Sequence, residues 1–149
     1  MAVIRLSTHI AAAPAACFDL ARSVEAHIQS TSGTDERAIA GVTKGLLELG
    51  DEVTWQARHF GIRQKLTSRI TAFDRPRHFR DEMVRGAFSR FVHDHHFEAV
   101  AGGTRMLDVF DFTAPLGILG AVAEQLILKA YMSRFLERRA QALKRMAEG

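Results

Sequence analysis

The alternation of apolar and polar positions is sharpest between residues 88 and 112. Phe88-Ser-Arg-Phe-Val-His-Asp-His-His-Phe-Glu-Ala-Val runs into Ala101-Gly102 and then Gly103-Thr-Arg-Met-Leu-Asp-Val-Phe-Asp-Phe112. Two alternating runs around a glycine-containing turn predict a β-hairpin, and side chains two apart on a strand share a face. Phe91, His93, His95 and Phe97 therefore point the same way, which sets two histidines on an otherwise aromatic face. A two-residue loop at Ala101-Gly102 pairs Phe97 with Met106, His95 with Asp108, His93 with Phe110 and Phe91 with Phe112. On the other face it pairs Glu98 with Arg105. A slip by one residue would set Phe and Met against charges and turn half the aromatics to water, so the pattern selects this register.

The rest of the chain parses by the same periodicities. Residues 2 to 10 alternate as a strand, Pro14 opens a short helix through Arg22, and a second short helix covers Val24 to Ser30. Ser32-Gly33-Thr34 reads as a loop, residues 36 to 43 as a strand, and Gly45 to Asp51 as a turn region. Val53, Trp55, Ala57 and His59 then share a strand face. The chain reverses at Phe60-Gly61 into a strand with Ile62, Leu66 and Ile70 inward, whose register opposes Thr54 to Thr67 and Glu52 to Arg69. Asp74-Arg75-Pro76 turns the chain again, Phe79, Asp81 and Met83 share the next strand face, and Arg85-Gly86 turns into the histidine hairpin. Beyond Pro115, Gly117 to about Ala147 reads as one helix of about 46 Å at 1.5 Å per residue. Its apolar stripe is Val122, Leu126, Met132, Phe135, Leu136, Leu143 and Met146. Glu137, Arg138, Arg139, Lys144 and Arg145 crowd its last turns, where positive charge suits a helix C-terminus.

This order (strand, two short helices, antiparallel meander, one long helix) predicts an α+β domain spanning residues 1–149. One amphipathic helix covers only part of a large curved sheet, so a cavity is expected between them. At 149 residues the chain can bury a sizeable core without a metal or disulfide. Its formal charge is +3, with 20 Lys+Arg against 17 Asp+Glu. The basic residues are spread along the chain, and nothing reads as a nucleic-acid-binding module. The lone Cys17 makes no internal disulfide and suits a reducing compartment, so a cytoplasmic location is expected. Arg5 and His9 interrupt any signal-peptide core. The longest apolar stretch, Ala114 to Ala123, falls short of the ~20 residues of a membrane span.

Leu49-Gly50-Asp51-Glu52-Val53-Thr54-Trp55, Arg58-His59-Phe60-Gly61, Phe91-Val92-His93-Asp94-His95 and Pro115-Leu116-Gly117 together resemble bacterial members of the SRPBCC ligand-binding superfamily, which is START-like, polyketide-cyclase-like and birch-pollen-allergen-like. The resemblance covers essentially the whole chain. It implies the helix-grip fold, a curved seven-stranded antiparallel sheet around the long C-terminal helix, with a deep hydrophobic cavity. It carries over no catalytic residue and fixes no activity, since carriers, receptors and cyclases share the superfamily.

His95 with Asp108 is the sharpest candidate site, because an inward carboxylate orients an imidazole and raises its pKa, giving a general base or a polar anchor. His93 and Asp81, one strand away, are its expected neighbours, and the four together also read as a self-satisfied polar network in the sheet centre. His93-x-His95 has metal-ligand spacing, but the interleaved Asp94 and His96 read as surface polarity, so neither metal nor cofactor is assigned. Cys17 reads as a small buried hydrophobe. The expected cavity contacts are Trp55, Leu66, Phe79 and Met83, then Phe91, Phe97, Met106 and Phe110 beside the polar groups, with Met132 and Phe135 from the helix. The leading reading is a binding protein for a hydrophobic or lipid-like small molecule. A cyclase- or dehydratase-type enzyme with His95 as base is the alternative. The third reading is an interaction module without a small-molecule ligand, forming a homodimer through an exposed sheet edge or the basic end of the last helix.

Overall fold

The computed structural model describes residues 2–114 and 121–149. The first strand, β1 (Ala2–Ile10), leads into α1 (Pro14–Ala21) and α2 (Val24–Ser30). Pro14 occupies the first turn of α1, where its missing N–H costs nothing, and the Ser23 hydroxyl caps α2 by accepting from the Ala26 N–H at 3.1 Å. Six strands follow: β2 (Arg37–Gly41), β3 (Glu52–His59), β4 (Ile62–Asp74), β5 (His78–Gly86), β6 (Arg90–Val100) and β7 (Gly103–Thr113). The long helix α3 (Ala121–Glu148) comes last. The expected helix start at Gly117 and the Pro115-Leu116-Gly117 segment lie outside the described residues, as does the Val122 side chain.

All seven strands form one antiparallel sheet in the order β1-β7-β6-β5-β4-β3-β2, so the first strand closes beside the last. This is the helix-grip arrangement. The β6–β7 register pairs Phe91 with Phe112, His93 with Phe110, His95 with Asp108, Phe97 with Met106 and Glu98 with Arg105, as the alternation requires. Between β3 and β4, Thr54 faces Thr67 and Glu52 faces Arg69, and the two threonine hydroxyls lie 2.7 Å apart. Phe60 and Gly61 both take positive φ, 53° and 73°, the left-handed pair that a two-residue hairpin turn demands.

Several expectations need correction. The 36–43 strand is shorter, because Gly41 turns out of the extended region at φ 72°. Ser32–Thr34 forms a single 3-10 turn rather than open loop. The Arg85-Gly86 turn falls later: bulges in the β4–β5 ladder shift its register, Gly86 still pairs with Leu66, and the chain reverses only before Arg90. Ile62 is 61% exposed, since it sits against the β3–β4 turn at the tip of the sheet.

The interior holds two apolar clusters. One joins Ile10, Phe18, Val24, Phe79, Phe97 and Met106 to Ala140 and Leu143 of α3. The other joins Ile4, Phe91, Phe110 and Phe112 to Met132 and Leu136. The backbone of α3 lies closest to β1, α1 and α2, leaving space before the strands beyond. Among the described residues no helix is long and apolar enough to cross a membrane.

Candidate functional site

A polar belt separates the two clusters. Along β6, Phe97 belongs to the first cluster and Phe91 to the second, with His93 and His95 between them. Asp81 lies between Phe79 and Met83 on β5, and Asp108 between Met106 and Phe110 on β7. Strand pairing sets His95 beside Asp108 and Asp81 beside His93. The side chains form a zigzag rather than isolated pairs. Asp108 Oδ1 lies 3.0 Å from His93 Nε2 and 3.1 Å from His95 Nδ1, while His95 Nε2 lies 2.7 Å from Asp81 Oδ2.

The protonation states follow from donor counting. An ionised carboxylate only accepts, so Asp108 takes an N–H from His93 and Asp81 takes one from His95, whose Nδ1 also stands at ion-pair distance from Asp108. A carboxylate beside each ring nitrogen favours the imidazolium form of His95. Burial opposes that charge, but hydrogen bonds to Asp108 and Asp81 outweigh it and hold the His95 pKa above its ordinary value. Burial likewise opposes charge on Asp108 and Asp81, yet their histidine partners keep both below the usual carboxylate range. His93 is held below its ordinary value, by burial first and then by the charge of His95 stacked 3.8 Å away. A neutral His93 donating from Nε2 keeps a bare lone pair on Nδ1.

A cavity of about 420 Å³ opens between α3 and the sheet. Its apolar wall includes Trp55, Ala57 and Leu66 from β3 and β4, Phe91 and Phe110 from β6 and β7, and Met132 and Phe135 from α3. The exposed side chains of Phe60 and Ile127 also border it. His93 and Asp81 line the cavity, together with a smaller annex of about 60 Å³. His95 and Asp108 line neither, although both were expected to. His95 is 2% exposed, sandwiched between the rings of Phe79 at 4.2 Å and His93. The member of the belt that reaches the cavity as an imidazole is therefore His93.

Four expected apolar contacts also lie elsewhere. Phe97 and Met106 pack in the first cluster, where α1 and the C-terminal half of α3 fill the concave face. Phe79 packs edge-on to Phe18 at 5.2 Å and borders only the annex. Met83 packs against the second cluster without lining the cavity.

The cavity brings in polar residues that hairpin alternation does not reveal. His27 of α2 stacks on Trp55 at 4.0 Å and shares a 3.0 Å hydrogen bond with Glu36. Burial keeps His27 below its ordinary pKa, whereas the His27 hydrogen bond overrides burial at Glu36 and keeps it ionised, so His27 is the neutral donor. His59 Nδ1 lies 2.6 Å from the Tyr131 hydroxyl, and burial lowers the His59 pKa and raises that of Tyr131. Arg139, read from the sequence as a surface charge of the helix end, is 7% exposed and lines both cavity and annex. Its sequence cue is helical spacing, since Met132, Leu136, Arg139 and Leu143 fall on one stripe of α3.

Two groups bring metal-ligand-type atoms within 4.8 Å of one another: Asp81, His93 and His95 inside, and His78, Asp94 and His96 on the other sheet face. In the first, both His95 nitrogens already face carboxylates. In the second, Asp94 is shared between His78 at 2.7 Å and Arg80 at 2.8 Å.

Solved structures with this fold include a Thermus thermophilus protein, TTHA0849, at TM-score 0.79 and 18% identity over 97% of this chain and 95% of that one. The ZhuI aromatase/cyclase from Streptomyces sp. R1128 aligns at TM-score 0.80 and 14% identity, covering 99% and 93%. A START superfamily protein from Mycobacterium smegmatis aligns at TM-score 0.72 and 13% identity, covering 98% and 97%. At such identities the likeness establishes the shared fold. Comparison with curated protein sequences gives no match. The sequence model described as "Polyketide cyclase / dehydrase and lipid transport" matches residues 1–148, nearly the entire chain, and this assigns the protein to that family within the SRPBCC superfamily.

Proposed function

We propose that the protein binds a hydrophobic small molecule in the cavity between the sheet and α3. The apolar body of the ligand lies against Trp55, Leu66, Phe91, Phe110, Met132 and Phe135, and its polar end turns toward His93 and the annex. The observation that carries this reading is the cavity itself: about 420 Å³ with aromatic and aliphatic walls and a few convergent polar groups, within the range of small-molecule sites. The family description, which names both polyketide chemistry and lipid transport, supports the same class of ligand. In this reading the protein acts in the cytoplasm as one domain.

Trp55 is the only tryptophan and lines the cavity, so its emission reports on this site alone. Titration with a broad apolar library should yield ligands that shift Trp55 emission and bind one per chain. Failure of every compound to bind would remove the carrier reading.

A second reading, turnover of a carbonyl compound by proton abstraction, is favoured by the carboxylate-oriented, neutral imidazole of His93 on the cavity wall. The base in this reading is His93, since His95 is sealed behind it. Asp108→Asn keeps the shape and removes the orienting charge. If His93 is a base, turnover should fall by roughly 10² or more with affinity little changed. Equal turnover by the variant would exclude a His93 base oriented by Asp108.

A further inference from the structure

Arg139 is the buried charge of the cavity for which the chain supplies no counter-charge in contact. Among the described residues, its guanidinium makes one hydrogen bond, from Nη2 to the Ala21 carbonyl at 3.3 Å, and no ion pair. Its Nε is buried without any partner. The buried carboxylates of the belt and the cavity wall hydrogen-bond to imidazoles instead, Asp81 to His95, Asp108 to His93 and Glu36 to His27, and Asp81 acts on Arg139 only through its field. A guanidinium is always charged and carries five N–H donors in a planar fork. Burying one beside an apolar cavity with its Nε unmet is costly unless an acceptor arrives from outside the chain.

We infer that Arg139 is the recognition group for a carboxylate on the ligand, so that the molecule held in the cavity is an amphipathic organic acid whose head group meets the guanidinium between cavity and annex. This deepens the binding reading given above and rests on it. A carboxylate matches the planar fork in geometry and sets an opposite charge in contact with it, whereas a hydroxyl or ester oxygen supplies only an acceptor. The placement fits both ends of the ligand. Leu136 and Met132 lie one and two turns before Arg139 on the same stripe of α3, so a chain running back along that stripe keeps its tail on apolar wall.

The test compares three probes with one tail, dodecanoic acid, methyl dodecanoate and dodecanol, by calorimetry and Trp55 emission on the intact protein near neutral pH. The acid should bind roughly 10- to 100-fold tighter than the ester or the alcohol, the span expected for hydrogen bonds to a charged group. Arg139→Met should erase that preference, so that acid and alcohol bind the variant equally, and Arg139→Lys should keep part of it. The wild-type comparison stands even if a variant fails to fold. Ester or alcohol binding as tightly as the acid would overturn the role of Arg139 and leave the hydrophobic-ligand reading intact. Failure of all three to bind would overturn both.

Discussion

At the residue scale, the polar belt owes its states to sharing. Asp108 lies within 3.1 Å of both imidazoles, and the pair of histidines stacked 3.8 Å apart cannot both be charged at little cost, so they diverge about the ordinary histidine value of ~6.5. NMR titration should find His95 above that value and His93 below it, and Asp108→Asn should lower His95. A His95 that titrates below ~6.5 in the wild type would contradict the imidazolium form. Stability follows with opposite signs. His95, raised by folding, adds stability that is complete below ~6.5 and is lost as pH rises through its folded value. His27, His59 and His93, lowered by folding, add stability that is complete above ~6.5 and is lost as pH falls through their folded values. Denaturant melts should therefore weaken on the acid side of ~6.5, and His27→Gln should flatten that slope; a flat wild-type profile down to pH ~5 would contradict the buried neutral histidines. His93, His95, Asp108 and Asp81 are legible in the sequence because they sit on strands joined by short turns, where alternation fixes facing. Arg139 and Tyr131 meet their neighbours only once α3 docks, and a separation of 118 between Arg139 and Ala21 carries no local period, while Glu36 meets His27 across the irregular turn between α2 and β2. Even so, the side-chain zigzag departs from strand pairing, since imidazoles reach diagonally to carboxylates on the adjoining strand.

At the element scale, the β6–β7 hairpin fixes the belt, and its register depends on one close approach. Gly103 has φ 152°, and a Cβ there would lie 2.1 Å from the Ile10 carbonyl oxygen of β1. β1 is an edge strand that carries Ile4 into one cluster and Ile10 into the other, so its separation from β7 would loosen both. Gly103→Ala should destabilise the protein by about 1–3 kcal/mol from backbone strain alone, with the clash adding to it. Chemical melts check this, and a variant within experimental error of wild type would mean that β1 shifts freely. The elements most legible in the sequence are those with clean alternation, β1, β3, β6 and β7, and those with a marked start, α1 at Pro14 and α2 at Ser23. The later turn after β5 was not legible, because a bulge inserts residues without changing the apolar pattern on either side of it. Ile62 escapes for a related reason: period two assigns it to the inner face, but the sheet extends past the packed interior there.

At the scale of the whole molecule, α3 is anchored by β1, α1 and α2 and stands clear of the strands that carry Trp55, Leu66 and Phe91. Ordinary interiors close such spaces, because unfilled apolar walls forgo packing. Space kept at the centre of a fold therefore limits stability, and adding a side chain there should relieve the deficit while destroying any binding that needs the room. Ala57 lines the cavity from β3 and offers such a position. Ala57→Leu should weaken an apolar ligand about tenfold or more while leaving the unliganded protein as stable as wild type or more so, the inverse of a cavity-creating substitution. Ligand linkage gives the second arm: at 100 times its Kd, a ligand specific for the folded state stabilises by about 2.7 kcal/mol, which for a chain of this size raises Tm by roughly 5–11 °C. That rise should appear in wild type and shrink in Ala57→Leu at equal ligand concentration. If Ala57→Leu lowers the unliganded Tm and leaves the ligand-induced rise unchanged, the ligand sits outside the cavity and the space beneath α3 belongs to packing alone.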